Sequence, residues 1–114
     1  MTNFRRWDII LVKFPFTDFS SFKKRPALII SPSSYNRSDD FVIVFITSNI
    51  NSPRKLGDVY IKHWKESGLP KPSLIRMKFA TINDKIIIKK IGRLKEFDKN
   101  IFLAELKNFF FTGS

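Results

Sequence analysis

The sequence predicts a small α+β fold, mostly β, in which short antiparallel strands bend into an open barrel and a single helix closes the chain. Three observations predict it. Apolar, β-branched and aromatic runs of strand length recur through most of the chain, with Pro, Ser, Asn and Gly between them. Helical periodicity shows only at the end, where Phe102, Leu106, Phe109 and Phe110 stand at i, i+4, i+7 and i+8. At 114 residues the chain suits one core, so a single domain, 1–114, is expected.

Taken in order, Trp7 to Phe16 reads W-D-I-I-L-V-K-F-P-F, a nearly unbroken apolar run that suits a strand buried on both faces. Thr17 to Lys24 is a polar loop. Pro26 then opens a second strand, Ala27 to Ile30, since proline is tolerated at a strand's first residue. Ser31 to Asp40 has loop composition, and Phe41 to Thr47, F-V-I-V-F-I-T, is the strongest β signal in the chain and is expected at the centre of the sheet. After a basic loop, Asn49 to Leu56, shorter β segments follow at Asp58 to Ile61 and Ser73 to Phe79, split by the turn-rich Ser67 to Pro72. Asn83-Asp84, between Met77 to Ile82 and Lys85 to Ile91, predicts a hairpin turn. The helix is expected from about Lys99 to Phe110, with Asp98 as N-cap and Phe97 and Phe102 as a hydrophobic staple. Phe109, Phe110 and Phe111 are more than one helix face can bury, which points to a second subunit or a partner peptide.

Composition narrows the function. Lysine and arginine total 21 against 10 acidic residues, a net charge of +11, which biases the surface toward a polyanion, nucleic acid first. There is no cysteine and only one histidine, His63, so a cysteine nucleophile, a disulfide framework and a multi-histidine metal site are all excluded. The four glycines, Gly57, Gly68, Gly92 and Gly113, are scattered and form no phosphate-binding loop. No cofactor and no metal are expected. The apolar runs fall far short of the ~20 residues of a membrane span, and no signal core follows Arg5-Arg6. A cytoplasmic protein without membrane contact is the expectation.

Conventional catalytic arrangements fit poorly. Asp39 and Asp40 adjoin a strand start, where neighbouring residues face opposite ways, and no nucleophile motif surrounds His63. What remains is cations and hydroxyls at strand ends. Lys23, Lys24 and Arg25 precede the second strand, and a guanidinium held at the rim of a sheet matches phosphate oxygens with its planar fork. Thr47 and Ser48 end the strongest strand and would meet that rim if the two strands are neighbours. Arg54, Lys55, Lys71, Arg76, Lys78, Lys89 and Lys90 add charge, and each alone reads as a solvated surface residue. Unpaired bases would stack on aromatics such as Tyr35 or Trp64, with Asn36, Asn49 or Asn51 reading base edges.

These residues carry a resemblance. Trp7-Asp8-Ile9-Ile10-Leu11-Val12 with Phe14-Pro15-Phe16-Thr17-Asp18, then Lys24-Arg25-Pro26-Ala27-Leu28-Ile29-Ile30-Ser31, then Ile46-Thr47-Ser48, are similar to conserved blocks of the PemK/MazF family of toxin–antitoxin ribonucleases. Gly68-Leu69-Pro70-Lys71-Pro72-Ser73 and Ile91-Gly92-Arg93-Leu94 resemble later blocks of its PemK-like branch. Two positions differ from the usual pattern: Trp7 replaces a glycine before the first-strand aspartate, and Arg76-Met77 stand where an acidic residue or glutamine is often seen.

The resemblance implies an SH3-like barrel with a C-terminal helix, a homodimer, a cognate antitoxin protein as inhibitor, and operator DNA bound through the antitoxin complex. It also implies metal-independent cleavage of single-stranded RNA, with Arg25 and Thr47 as the catalytic pair. Lys23, Lys24, Ser48, Arg54, Lys55, Lys71, Arg76 and Lys78 are then expected to contact RNA. Two other classes fit the charge: a non-catalytic nucleic-acid binder, and a poison of a protein target such as gyrase on the same fold.

Overall fold

The computed structural model describes residues 3–15 and 22–112, so most of the polar loop read from Thr17 onward lies outside the described residues. Among these, six strands form one antiparallel sheet: β1 (Asp8–Pro15), β2 (Phe22–Ile29), β3 (Asp40–Thr47), β4 (Val59–Tyr60), β5 (Leu74–Asn83) and β6 (Ile87–Arg93). Their spatial order is β4-β5-β3-β2-β1-β6, with β3 inside the sheet as its apolar sequence requires. The edges β4 and β6 do not pair with each other. The chain measures 35 × 34 × 31 Å, and its sheet is barrel-like without closing.

Both faces of the sheet are covered, which is why its strands read as near-continuous apolar runs. Ile9, Leu28, Val44, Ile46 and Ile75 point to one core with Phe102, and Ile10, Val12, Ala27, Ile29, Phe41 and Ile43 point to the other. Helix α2 (Glu96–Phe111) seats Phe102 in the first core. Phe110 and Phe111 remain 56% and 79% exposed, in line with the surplus of aromatics noted at the C-terminus.

Four sequence expectations need correction. Asn83-Asp84 does not make a hairpin: β5 pairs with β3, while β6 crosses to the far side of β1. No glycine is present to supply the positive φ of a tight hairpin turn. Asn83 instead caps a 3-10 turn (Asp84–Ile86), its side chain accepting the Lys85 amide at 3.2 Å.

Asp98 is not the N-cap, because the helix already starts at Glu96. Its buried carboxylate accepts the Lys62 and His63 amides at 2.8 and 2.9 Å and ties that loop to the helix, and Phe97 lies within the first turn. β2 begins at Phe22, so Pro26 sits inside the strand. The segment read as loop from Ser31 contains a single turn of helix, α1 (Ser33–Asn36), held by Ser31 Oγ donating to Asn36 Oδ1 at 2.6 Å.

Two of the resembling blocks meet although they lie at opposite ends of the chain. Asp8 is fully buried and pairs with Arg93 at 2.8 Å and Lys90 at 3.2 Å. Trp7, where the resembled sequence pattern usually has glycine, adopts φ +77°, a left-handed conformation that glycine takes without cost. The backbones of Gly68 and Gly92 touch so closely that a Cβ on Gly92 would lie 1.7 Å from the Ser67 carbonyl oxygen. That contact fixes the approach of Leu69-Pro70-Lys71 to the sheet.

Candidate nucleic-acid interface

Arg25 lies on β2 across from Val12 of β1. On its other side the β2–β3 ladder pairs Ile29 with Ile43, Leu28 with Val44 and Ala27 with Phe45. The ladder ends at Ala27 and Phe45, and Arg25 and Thr47 each stand two residues beyond it, on the parity of the sheet face that carries Ala27 and Phe45. Both residues line the same two adjoining clefts.

The first cleft, about 320 Å³, is bounded by Lys24, Arg25, Thr47, Ser48 and Asn49, with Pro70 and Lys71 as its far wall. The Gly68–Gly92 backbone contact stands just before that wall. The second, about 240 Å³, is lined by Phe14, Arg25, Phe45, Thr47, Arg76 and Lys78. A bulge bends β5 here: the register jumps from Val44 opposite Phe79 to Phe45 opposite Arg76, leaving Met77 and Lys78 as extra residues. No carboxylate lines either cleft among the described residues. The clefts therefore combine cations, hydroxyls and apolar rings on a sheet scaffold.

Of the residues singled out in sequence, Lys24, Arg25, Thr47, Ser48, Lys71, Arg76 and Lys78 converge on these clefts. Lys23 stays exposed on β2 across from Phe14. Arg54 and Lys55 line neither cleft, since they close a turn around Asp58 in which Arg54 donates to the Asp58 carbonyl at 3.0 Å and the Lys55 amide to its carboxylate at 2.8 Å. Arg76 reaches the second cleft with its charge offset by Asp58, 2.9 Å away. The Thr47 hydroxyl accepts the Asn49 amide at 3.1 Å, which orients its oxygen.

The aromatics expected to stack bases lie elsewhere. Trp64 packs on the first core, and Tyr35 sits in α1 beyond the opposite end of β3 from Thr47. Asn36 is buried, its side chain spent on Ser31. Phe14 and Phe45 occupy the cleft instead, and sequence reading missed them because both belong to strands whose other apolar residues are core. Asp58 was missed as well. A lone aspartate before a two-residue strand carries no signal of its arginine partner until β5 is placed beside it.

Among the described residues, no three His, Asp or Glu side chains gather as a metal-binding group. No helix there is long and apolar enough to cross a membrane.

The architecture recurs in solved structures of low sequence identity. The MazE–MazF complex of Deinococcus radiodurans matches with a TM-score of 0.79 at 12% identity, over 99% of this chain and 100% of that one. An endoribonuclease from a mycobacterial species, in complex with its cognate antitoxin, matches at 0.73 and 16% identity, over 95% and 93% of the two chains. The Mycobacterium tuberculosis toxin MazF-mt6 matches at 0.69 and 20% identity, over 90% and 95%. No curated protein sequence matches significantly. The model of the PemK-like, MazF-like toxins of type II toxin–antitoxin systems matches residues 5–110, nearly the whole sequence, and the chain belongs to that family.

Proposed function

We propose that this protein is the toxin of a type II toxin–antitoxin pair and a metal-independent endoribonuclease that cuts single-stranded RNA. The observation that carries the reading is that Arg25 and Thr47, each two residues past the last pair of neighbouring strands, line one cationic cleft. Family membership and the fold shared with solved endoribonucleases support it.

The chemistry needs little from the protein. The 2′-hydroxyl oxygen of the RNA attacks the adjacent phosphorus and loses its proton, the bond from phosphorus to the 5′-oxygen breaks, and that oxygen takes up a proton. The products are a 2′,3′-cyclic phosphate and a 5′-hydroxyl. Arg25 binds the scissile phosphate and stabilises the charge that builds on its oxygens, while Thr47 donates a hydrogen bond to one of them. Arginine stays protonated at ordinary pH, so Arg25 serves as a cation and another group receives the 2′-hydroxyl proton. Lys24, Ser48 and Lys71 hold flanking phosphates along the first cleft.

A cognate antitoxin protein is the expected inhibitor, as in the antitoxin-bound relatives, with operator DNA reached through that complex. The protein acts in the cytoplasm as a homodimer, and the exposed Phe110 and Phe111 are available to such contacts.

The test is incubation of the protein and its Arg25→Ala variant with a long single-stranded RNA in EDTA, reading cut positions and end groups. Discrete cuts ending in cyclic phosphate are expected, with a loss of roughly 10²- to 10³-fold in the variant. Equal cutting by the variant refutes the site. Intact RNA across varied sequences refutes the activity.

A further inference from the structure

The cleft beside Arg25 holds two aromatic rings that no part of the phosphate chemistry uses. Phe14 of β1 and Phe45 of β3 reach toward each other across β2, ring centroids 4.8 Å apart and planes inclined by 30°. Both are partly exposed although they stand on strands with fully buried neighbours. Cations surround them: Lys78 Nζ sits 5.5 Å from the Phe45 ring centroid, and Arg25 and Arg76 line the same 240 Å³ cleft.

From this arrangement we infer that Phe14 and Phe45 form a platform on which one unpaired nucleobase of the RNA stacks, next to the phosphate held by Arg25. The inference rests on the ribonuclease reading and adds a base-binding subsite to it. Charge complementarity selects the occupant. An apolar peptide side chain would fit the rings but gain nothing from the surrounding cations. A nucleotide places its flat base on the rings and its phosphates between Arg25 and Lys78, beside the Asp58-paired Arg76. A duplex keeps its base faces stacked on one another and offers none to the rings. Stacking is tolerant of base identity, because every base has a π face, so the platform sets which nucleotide is splayed out more than which base it carries.

The experiment uses a short single-stranded RNA around a mapped cut, with 2′-deoxyribose at the nucleotide 5′ of the cut to block cleavage. The fluorescent adenine analogue 2-aminopurine, which dims on stacking, is placed in turn at each nucleotide flanking the cut. Binding is titrated with the wild type, Phe45→Ala and Phe45→Leu, whose folding is checked by thermal unfolding. One position is expected to dim with the wild type and not with either variant, and the variants should bind roughly 5- to 150-fold more weakly, the range that base–aromatic stacking supplies. A duplex of the same sequence should give no dimming.

Unchanged dimming and affinity in both folded variants would overturn the platform. So would equal, Phe45-insensitive binding of single strand and duplex, which would mean that the cations alone make the contact. Should the wild type cut no RNA, the ribonuclease reading fails by itself. The same titration, with 2-aminopurine moved through all-ribose single strands of arbitrary sequence, then still decides whether a base stacks on Phe45.

Discussion

Arg76 grips Asp58 through two nearly parallel contacts, Nε to Oδ1 at 3.1 Å and Nη2 to Oδ2 at 2.9 Å. The pair joins the second cleft to the turn before β4, because the same buried carboxylate accepts the Lys55 amide. Burial pushes the Asp58 carboxyl up, but the Arg76 hydrogen bond, the Lys55 amide and the charges of Arg76 and Arg54 together outweigh it and hold it below its ordinary value of 3.8. A carboxyl depressed by folding adds stability that is present above its unfolded pKa and lost as pH falls through the folded value. Asp58→Asn is therefore expected to cost about 1–3 kcal/mol at pH 7, with the gap to wild type narrowing as pH drops below 3.8. Urea unfolding of both proteins between pH 7 and pH 2.5 checks this, and a gap that stays constant with pH refutes it.

Trp7 offers a test of how strain and packing trade off. Its φ of +77° favours glycine, yet its ring meets Phe102 edge-on with centroids 6.3 Å apart and lies under Lys99 Nζ at 5.8 Å. Trp7→Gly relieves about 1–2 kcal/mol of left-handed strain. It also removes a ring whose loss from a core costs about 3–5 kcal/mol. The packing term is larger, so the variant should be less stable by about 1–4 kcal/mol. Chemical denaturation measures it, and a variant more stable than wild type would show that strain dominates.

Most strands, the terminal helix and the burial of the first strand on both faces were legible in sequence, because apolar runs such as Phe41 to Thr47 have a single economical placement. Partners across the sheet were not. The Asn83-Asp84 region shows why: local turn chemistry reports that the chain reverses, but whether β6 returns beside β5 or crosses to β1 depends on which edge has apolar surface to cover. The same limit applies to the site. Arg25, Thr47, Lys24, Ser48 and Lys71 were legible as chemistry without a core role. Phe14 and Phe45 looked like core, and Asp98 looked like a cap because its true partners, the amides of Lys62 and His63, lie 36 and 35 residues away.

Thr47 separates catalysis from packing. Thr47→Val keeps the side-chain shape and removes the hydroxyl, which in the structure accepts the Asn49 amide. Stability is expected to fall by only about 0.5–1.5 kcal/mol, whereas kcat for RNA cleavage falls by roughly 10²-fold or more if the hydroxyl supports the transition state. Thr47→Ser restores the donor and should recover most of the rate. Single-turnover cleavage and thermal unfolding of the three proteins decide between the roles, and a Val variant with the wild-type kcat removes Thr47 from the mechanism.

Lys71 and Lys55 carry the same charge but differ in place, one on the wall of the first cleft and the other in the turn around Asp58. If RNA binds in the clefts, neutralising Lys71 removes a phosphate contact and neutralising Lys55 does not. Each contact to a single strand releases condensed counterions and steepens the dependence of log affinity on log salt by ~0.7. Lys71→Ala should therefore flatten the slope by ~0.7 and weaken binding at low salt, with Lys55→Ala close to wild type in slope. Titrations of a single-stranded RNA at several potassium chloride concentrations give both numbers. Equal flattening by the two substitutions would mean that affinity comes from the diffuse +11 charge of the whole chain, and the clefts would lose their claim to the RNA.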